Sequence, residues 1–240
     1  MIIQFIQETL ETLKEIGLYR HLRTLESSPS PHAALDGKKV LLFSSNNYLG
    51  LSNHPKVIEA AISATREYGT GGTASRLISG NLKLYTLLEE KIARLKGTEA
   101  AVVFSSGYAA NLGTIQALAK PGDLLLIDKL NHASIIDGCR LSGARLKTYR
   151  HKNMELLRSH LEASDPVRRT LIITDGIFSM DGDLAPLSEI FALAKKHHAT
   201  VMVDDAHATG LFGEKGEGTI HHFKLEGKGI VQMGTLSKAL

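Results

Sequence analysis

The chain carries a single cysteine, Cys139, which excludes an intrachain disulfide and a cysteine-rich metal centre. It carries little net charge: 28 basic against 25 acidic residues leaves +3. The basic residues are scattered, so no nucleic-acid or membrane partner is indicated. No uncharged apolar run approaches the roughly 20 residues that span a bilayer. The opening stretch MIIQFIQETLETLKEIG is acidic and amphipathic, unlike a signal peptide. Internal repeats, low-complexity tracts and the GxxxxGK[ST] phosphate loop are also lacking. These absences predict a soluble, cytoplasmic, globular protein.

What is present fits that class. Apolar residues make up 43% and charged residues 22% of 240 residues, ordinary values for a packed domain. The length suits one large domain or two small ones, burying roughly 70% of the unfolded surface. Ile2, Phe5, Ile6, Leu10, Leu13 and Ile16 recur at helical spacing up to Gly17, which predicts a first helix lying on the body or on a second subunit. Residues 27–39 are turn-rich and read as a linker. Helices are expected near 55–68 and 82–96, separated by GTGGTAS (69–75).

From residue 100 short apolar runs recur at 100–106, 123–128, 145–150, 170–176, 200–206 and 230–235. Helical patterns are expected near 108–119, 133–142, 153–163 and 186–198. Runs that are apolar at every position read as strands buried on both faces. Their alternation with helices predicts an α/β fold with a mostly parallel sheet and helices on both faces. Polar residues follow the runs: Ser105, Ser106 and Gly107; Asp128; Asp175 and Gly176; Asp204, Asp205 and His207; Thr235, Ser237 and Lys238. Ligands of open α/β sheets bind beyond the carboxyl ends of the strands, so these residues are the candidate site.

Each has a plain structural reading beside the functional one. Ser106, Gly107 and Tyr108 open a helix, where free N–H groups suit a phosphate or form only a tight turn. Asp204 is costly to bury charged without a cation; with His207 it could face a ligand or bind a metal, or it could cap a helix. Asp205 reads as the cap. His132 reads as a capping or core residue unless other strand ends converge on it. Ser179, in DGIFSMDGDLAPL (175–187), could donate into the site or belong to a rigid loop. Lys238 follows the sixth run; a surface lysine is the default, a carbonyl nucleophile the alternative. Together a phosphate cradle, a buried Asp, a nearby His and a lysine match what pyridoxal 5'-phosphate requires.

FSSNNYLGL (43–51), FSSGYAAN (104–111), LNHASIIDG (130–138), TDGIFSMDGDLAPL (174–187), VDDAHATG (203–210) and GTLSKAL (234–240) resemble the α-oxoamine synthases. These are pyridoxal-phosphate enzymes of aminotransferase-like (fold type I) architecture that condense an amino acid with an acyl-CoA, releasing CO2 and CoA. SRLISGNLKLY (75–85) together with Ala206 and Thr209 is most similar to the member that joins L-alanine to a pimeloyl thioester in biotin synthesis. The resemblance implies that Lys238 binds the cofactor covalently and moves protons, that Asp204 pairs with the ring nitrogen, and that His207 meets its phenolic oxygen with Ser179 nearby. It implies that His132 stacks on the ring and positions substrate, that Gly107, Tyr108 and Thr235 lie by the phosphate, and that Arg20, or failing it Arg23, meets the acyl substrate. Asn47 and residues 69–75 are expected near the site or a homodimer interface, and no metal is implied.

The family extends past the lysine into a smaller C-terminal domain. The resemblance therefore implies an N-terminal portion: residues 1–40 as helix and linker, and 41–240 as the cofactor-binding large domain, with the small domain absent. Three competing readings stand beside it: a glycine- or serine-using member, an inactive fragment acting as a dimerising or binding module, and a metal-dependent hydrolase.

Overall fold

A computed structural model describes residues 2–165 and 167–240. The chain divides into two compact units, Met1–Ser45 and Asn46–Leu240.

The first unit holds helix α1 (Ile2–Glu15), which buries none of its residues, and a hairpin of β1 (His32–Leu35) and β2 (Lys38–Leu41). The hairpin corrects the expectation of a linker over residues 27–39. Its turn is Asp36–Gly37, both at positive φ, the Asp-Gly pair whose twist suits a two-residue hairpin. Arg23 Nε donates to Asp36 Oδ2 at 2.7 Å and Thr24 N to Asp36 Oδ1 at 2.8 Å, holding Asp36 below its usual carboxylate range through the Arg23 bond and then the Thr24 bond.

In the second unit, α2 (Pro55–Tyr68) starts with Pro at its first position, where a missing N–H costs nothing. Helix α3 (Lys83–Lys96) stops at left-handed Gly97. Then follow α4 (Gly107–Leu118), β3 (Leu124–Asp128), α5 (Ala133–Leu141), β4 (Arg145–Tyr149), α6 (Met154–Glu162), β5 (Thr170–Asp175), α7 (Leu187–Lys196), β6 (Thr200–Asp204), the short α8 (Thr219–His222) and β7 (Val231–Met233). Strands β3–β7 form one parallel sheet in the order β4-β3-β5-β6-β7.

The alternation of the strand side chains builds two cores. Leu124, Leu126, Ile172, Val201 and Val203 face one way and pack with Leu157 and Leu161 of α6 and Leu187 and Ile190 of α7. Leu125, Ile127, Leu171, Ile173 and Met202 face the other way, against Ile115 of α4 and Ile135 and Cys139 of α5. Each such burial stabilises by about 1.5–3 kcal/mol. Strand order reverses between β3 and β5, which opens a crevice at their carboxyl ends.

The run 100–106 is not a strand. Val103 N donates to Glu89 Oε1 at 2.7 Å, and Val103 O accepts from Arg76 Nη1 at 3.0 Å. The Arg76–Glu89 ion pair thus takes both backbone groups that a neighbouring strand would satisfy, and Val102 stays 71% exposed. Lys238 accordingly follows the fifth strand of the sheet, not a sixth.

Candidate active site

The carboxyl ends of β5, β6 and β7 and the starts of α4 and α5 line one cleft of about 150 Å³. Gly107, Tyr108, His132, Ser179, Asp204, His207, Thr235 and Lys238, all nominated from sequence, line it, with Asn111, Ser134, Asp175, Ala206, Met233 and Ser237. Arg20 is exposed and belongs to the first unit; it is not among these lining residues.

Asp204 ends β6, and each of its carboxylate oxygens accepts one hydrogen bond, which leaves acceptor capacity on both. Ala206 N donates to Oδ1 at 2.9 Å, and Asn111 Nδ2 donates to Oδ2 at 2.7 Å. The Asn111 amide also reaches Ser134 Oγ at 2.9 Å, while its own Oδ1 is buried without a partner. Asp175, in register with Asp204 on the next strand, accepts from His132 N at 2.8 Å through Oδ2. Burial, reinforced by the neighbouring Asp204 charge, pushes Asp175 up to about 8. Half-buried Lys238 has its pKa lowered by burial, against the pull of Asp204 and Asp175. The lower pKa raises the fraction of neutral, nucleophilic amine.

His207 has its pKa lowered by burial and by the Lys238 charge. Its ring is fixed by the Tyr48 hydroxyl, 2.8 Å from Nδ1 and 3.0 Å from Asn46 Oδ1. His132 caps α5 by accepting from Ser134 N at 3.2 Å through Nδ1, so its capping role and its place in the cleft coexist. Ser106 caps α4 by accepting from Ala109 N at 3.1 Å. The N–H groups of Gly107 and Tyr108, at the start of that helix, have no intrahelical acceptor. A Cβ at Gly107 would approach Met233 Cε to 3.2 Å, so a side chain there would narrow this end. The Tyr108 hydroxyl donates to Asp137 Oδ2 at 2.8 Å, and Thr235 Oγ1 lies 2.7 Å from Ser237 Oγ.

Asp205 is not the cap of the turn that follows it. It is fully buried, 3.5 Å from Lys96 Nζ, and accepts from Thr219 N at 3.0 Å and from the Thr219 hydroxyl. Asn111 and Tyr48 are site residues that the sequence reasoning left out of the site, while Asp175 was nominated by strand-end position alone and given no role. Asn111 sits inside a helix and meets Asp204 only through the fold.

Residues 38–240 match the aminotransferase class I and II family, and the chain belongs to that family. Among curated proteins it is 52% identical over 239 residues to the 8-amino-7-oxononanoate synthase of Thermoanaerobacter pseudethanolicus, covering 99% of this chain and 60% of that one. The chain thus spans about 60% of the length of that curated relative. Among solved structures, an S. paucimobilis serine palmitoyltransferase variant with a bound PLP–myriocin aldimine superposes with a TM-score of 0.90 at 36% identity, over 98% of this chain and 61% of that one. The 8-amino-7-oxononanoate synthase of Francisella tularensis superposes with a TM-score of 0.70 at 30% identity, over 82% and 54%.

Proposed function

We propose that this chain supplies the cofactor-binding large domain, residues 41–240, of a pyridoxal-phosphate-dependent acyltransferase. Its reaction is the decarboxylative condensation of L-alanine with a pimeloyl thioester to 8-amino-7-oxononanoate, with release of CO2 and the carrier thiol, a step of biotin synthesis. The observation that carries the reading is one cleft holding a half-buried amine, Lys238, and a buried carboxylate, Asp204, whose two oxygens are fixed by Ala206 N and Asn111.

The residues fit the cofactor group by group. The unpaired N–H groups at the start of α4 suit a phosphate dianion. Asp204 suits a protonated ring nitrogen, and Lys238 an aldehyde. When bound, pyridoxal phosphate supplies an electron sink for a carbanion at the substrate α-carbon. The rest falls to the chain. Lys238 attaches the cofactor and then takes and returns the proton at the α-carbon. Asp204 holds the proton on the ring nitrogen; Asn111 and Ala206 N keep its carboxylate in place. His207, steadied by Tyr48, orients the phenolic oxygen, with Ser179 nearby. His132 offers an aromatic surface and positions substrate, Thr235 joins the phosphate end, and Arg20 is assigned to the acyl substrate.

A homodimer in the cytoplasm completes the reading. It is supported by apolar side chains left in solvent, including Leu77, 94% exposed, and Ile78, 83% exposed. Among the described residues no helix is long and apolar enough to cross a membrane.

The serine palmitoyltransferase likeness favours a second reading with serine as the amino acid; the higher identity to the alanine-using relative favours the first. Thiol release from pimeloyl-CoA is the assay, run with alanine, glycine and serine on this chain and on a version extended to the relatives' full length. Turnover with alanine at least tenfold above the other two supports the proposal. Preference for serine or glycine overturns the substrate assignment, and no turnover in the extended version overturns the activity.

A further inference from the structure

Ser179 reaches the cleft from the tip of a small hairpin, residues 176–185. Ala185 N donates to Gly176 O at 3.0 Å, Ile177 bridges Leu184, Phe178 N donates to Asp183 O at 3.0 Å and Gly182 N to Phe178 O at 2.8 Å. Phe178 is buried, while Ser179, Met180 and Asp181 at the tip are exposed. A second element, the turn after β4, grips this hairpin.

His151 in that turn lies between two carboxylates. Its Nδ1 is 3.1 Å from Asp128 Oδ1 at the end of β3, and its Nε2 is 3.0 Å from Asp183 Oδ2 on the hairpin. The Phe178 ring meets the imidazole edge-on at 4.4 Å. Lys152 reinforces the same bridge: its N donates to Asp128 Oδ2 and its Nζ to Asp183 Oδ2, each at 2.8 Å. Ionised carboxylates only accept hydrogen bonds, and a neutral imidazole has one N–H. Both contacts can therefore be hydrogen bonds only when His151 is the imidazolium.

We propose that protonated His151 is a positioning residue, a clamp that joins Asp128 to Asp183 and so holds the 176–185 hairpin, with Ser179, against the cleft. The groups facing it are Asp128 from β3, Asp183 and Asp181 from the hairpin, and Lys152 from its own turn. Burial pulls its pKa down, but the bonds to Asp183 and Asp128 outweigh this and raise it. The sign follows: the clamp is closed below the raised pKa and opens as pH climbs through it. His151, Asp181 and Asp183 also bring donor atoms within 4.8 Å of one another. A divalent ion there would need a neutral imidazole and would compete with the Lys152 ammonium already on Asp183, so the clamp is the better account.

The effect on cofactor affinity rests on the proposed function; the effect on the hairpin does not, so the experiment reads both. Hydrogen exchange over residues 177–184, corrected for intrinsic rates, and pyridoxal phosphate affinity are measured from pH 6 to 9 in the full chain and in His151→Gln, with the imidazole titrated by NMR. The clamp predicts that wild-type protection falls along the His151 titration. It predicts exchange at least tenfold faster and pH-flat in His151→Gln, with affinity weakened at least threefold at low pH. Hairpin exchange that follows His151 while neither protein binds pyridoxal phosphate supports the clamp and removes the cofactor reading. Equal protection in the two proteins, or wild-type protection flat across the titration, overturns the clamp. Protection gained on adding zinc, and lost in His151→Gln, also overturns it in favour of a metal site.

Discussion

Asp204 and Asp205 are neighbours in sequence and serve opposite kinds of site. Asp205 lies in a closed cluster: Lys96 Nζ, 3.5 Å away, also donates to Thr209 Oγ1 at 2.8 Å and to Glu217 O at 2.6 Å, and Thr219 donates twice to the carboxylate. Gly176 and Gly218 press against it where any Cβ would collide with the carboxylate. Asp204 lies in an open cluster. Its oxygens are held, but its cation, Lys238, makes no hydrogen bond or ion pair among the described residues and faces a cleft. Both pairs place a lysine near a buried aspartate, but only Lys96 is itself buried. The first has all its partners and fixes the chain; the second leaves an amine beside a cleft, the feature on which the proposed chemistry rests.

The comparison breaks most visibly at Lys96. Lys96→Met leaves Asp205 buried without its cation, and such losses cost about 3–5 kcal/mol. Chemical denaturation should show a loss of that size, and Lys96→Met with Asp205→Asn should recover part of it. Lys238→Met, at a half-buried position facing the cleft, should change stability by less than about 1 kcal/mol. Equal losses at the two lysines would erase the distinction.

A pH-dependent effect belongs to Asp175. Its carboxyl is raised to about 8 by burial and by Asp204, against about 3.9 in an unfolded chain. The protonated form is therefore favoured by folding. Its contribution is complete below pH ~4 and is lost as pH rises towards the folded value. Asp175→Asn keeps an acceptor for His132 N, so in cofactor-free protein the fall in Tm between pH 5 and 9 should flatten relative to wild type. An unchanged slope would place the titration elsewhere.

A more local effect should come from Asn111→Ala. It removes one hydrogen bond to a charged acceptor, worth about 1.5–3 kcal/mol, and should weaken pyridoxal phosphate binding about tenfold, read by spectroscopic titration. Undiminished affinity would remove Asn111 from the support of Asp204.

The open cluster was legible in sequence because its residues sit where apolar runs end, and parallel strands bring such ends together. Strands β4, which is partly exposed, and β7 were legible by their place in the strand–helix alternation. Strands β3, β5 and β6 were legible because burial on both faces leaves no polar alternation. Residues 100–106 looked the same, but side chains from elsewhere, Glu89 and Arg76, satisfy the Val103 backbone. The Asp36–Gly37 turn was a local signal that the surrounding serines and prolines obscured. Asn111 and Tyr48 were not legible in this way: each acts across a long stretch of chain, on Asp204 and His207, and neither stands at a strand end. The Asp205–Lys96 pair escaped for the same reason, since a lysine closing an apparently exposed helix gives no local sign of burial.

The central claim is that Lys238, and not Lys96 or a surface lysine, carries the reactive amine opposite Asp204. Incubation with pyridoxal phosphate, reduction with borohydride and peptide mapping test it directly. The account predicts a single label on Lys238, absent in Lys238→Met. A label on Lys96, labels spread over exposed lysines, or none at all would contradict it.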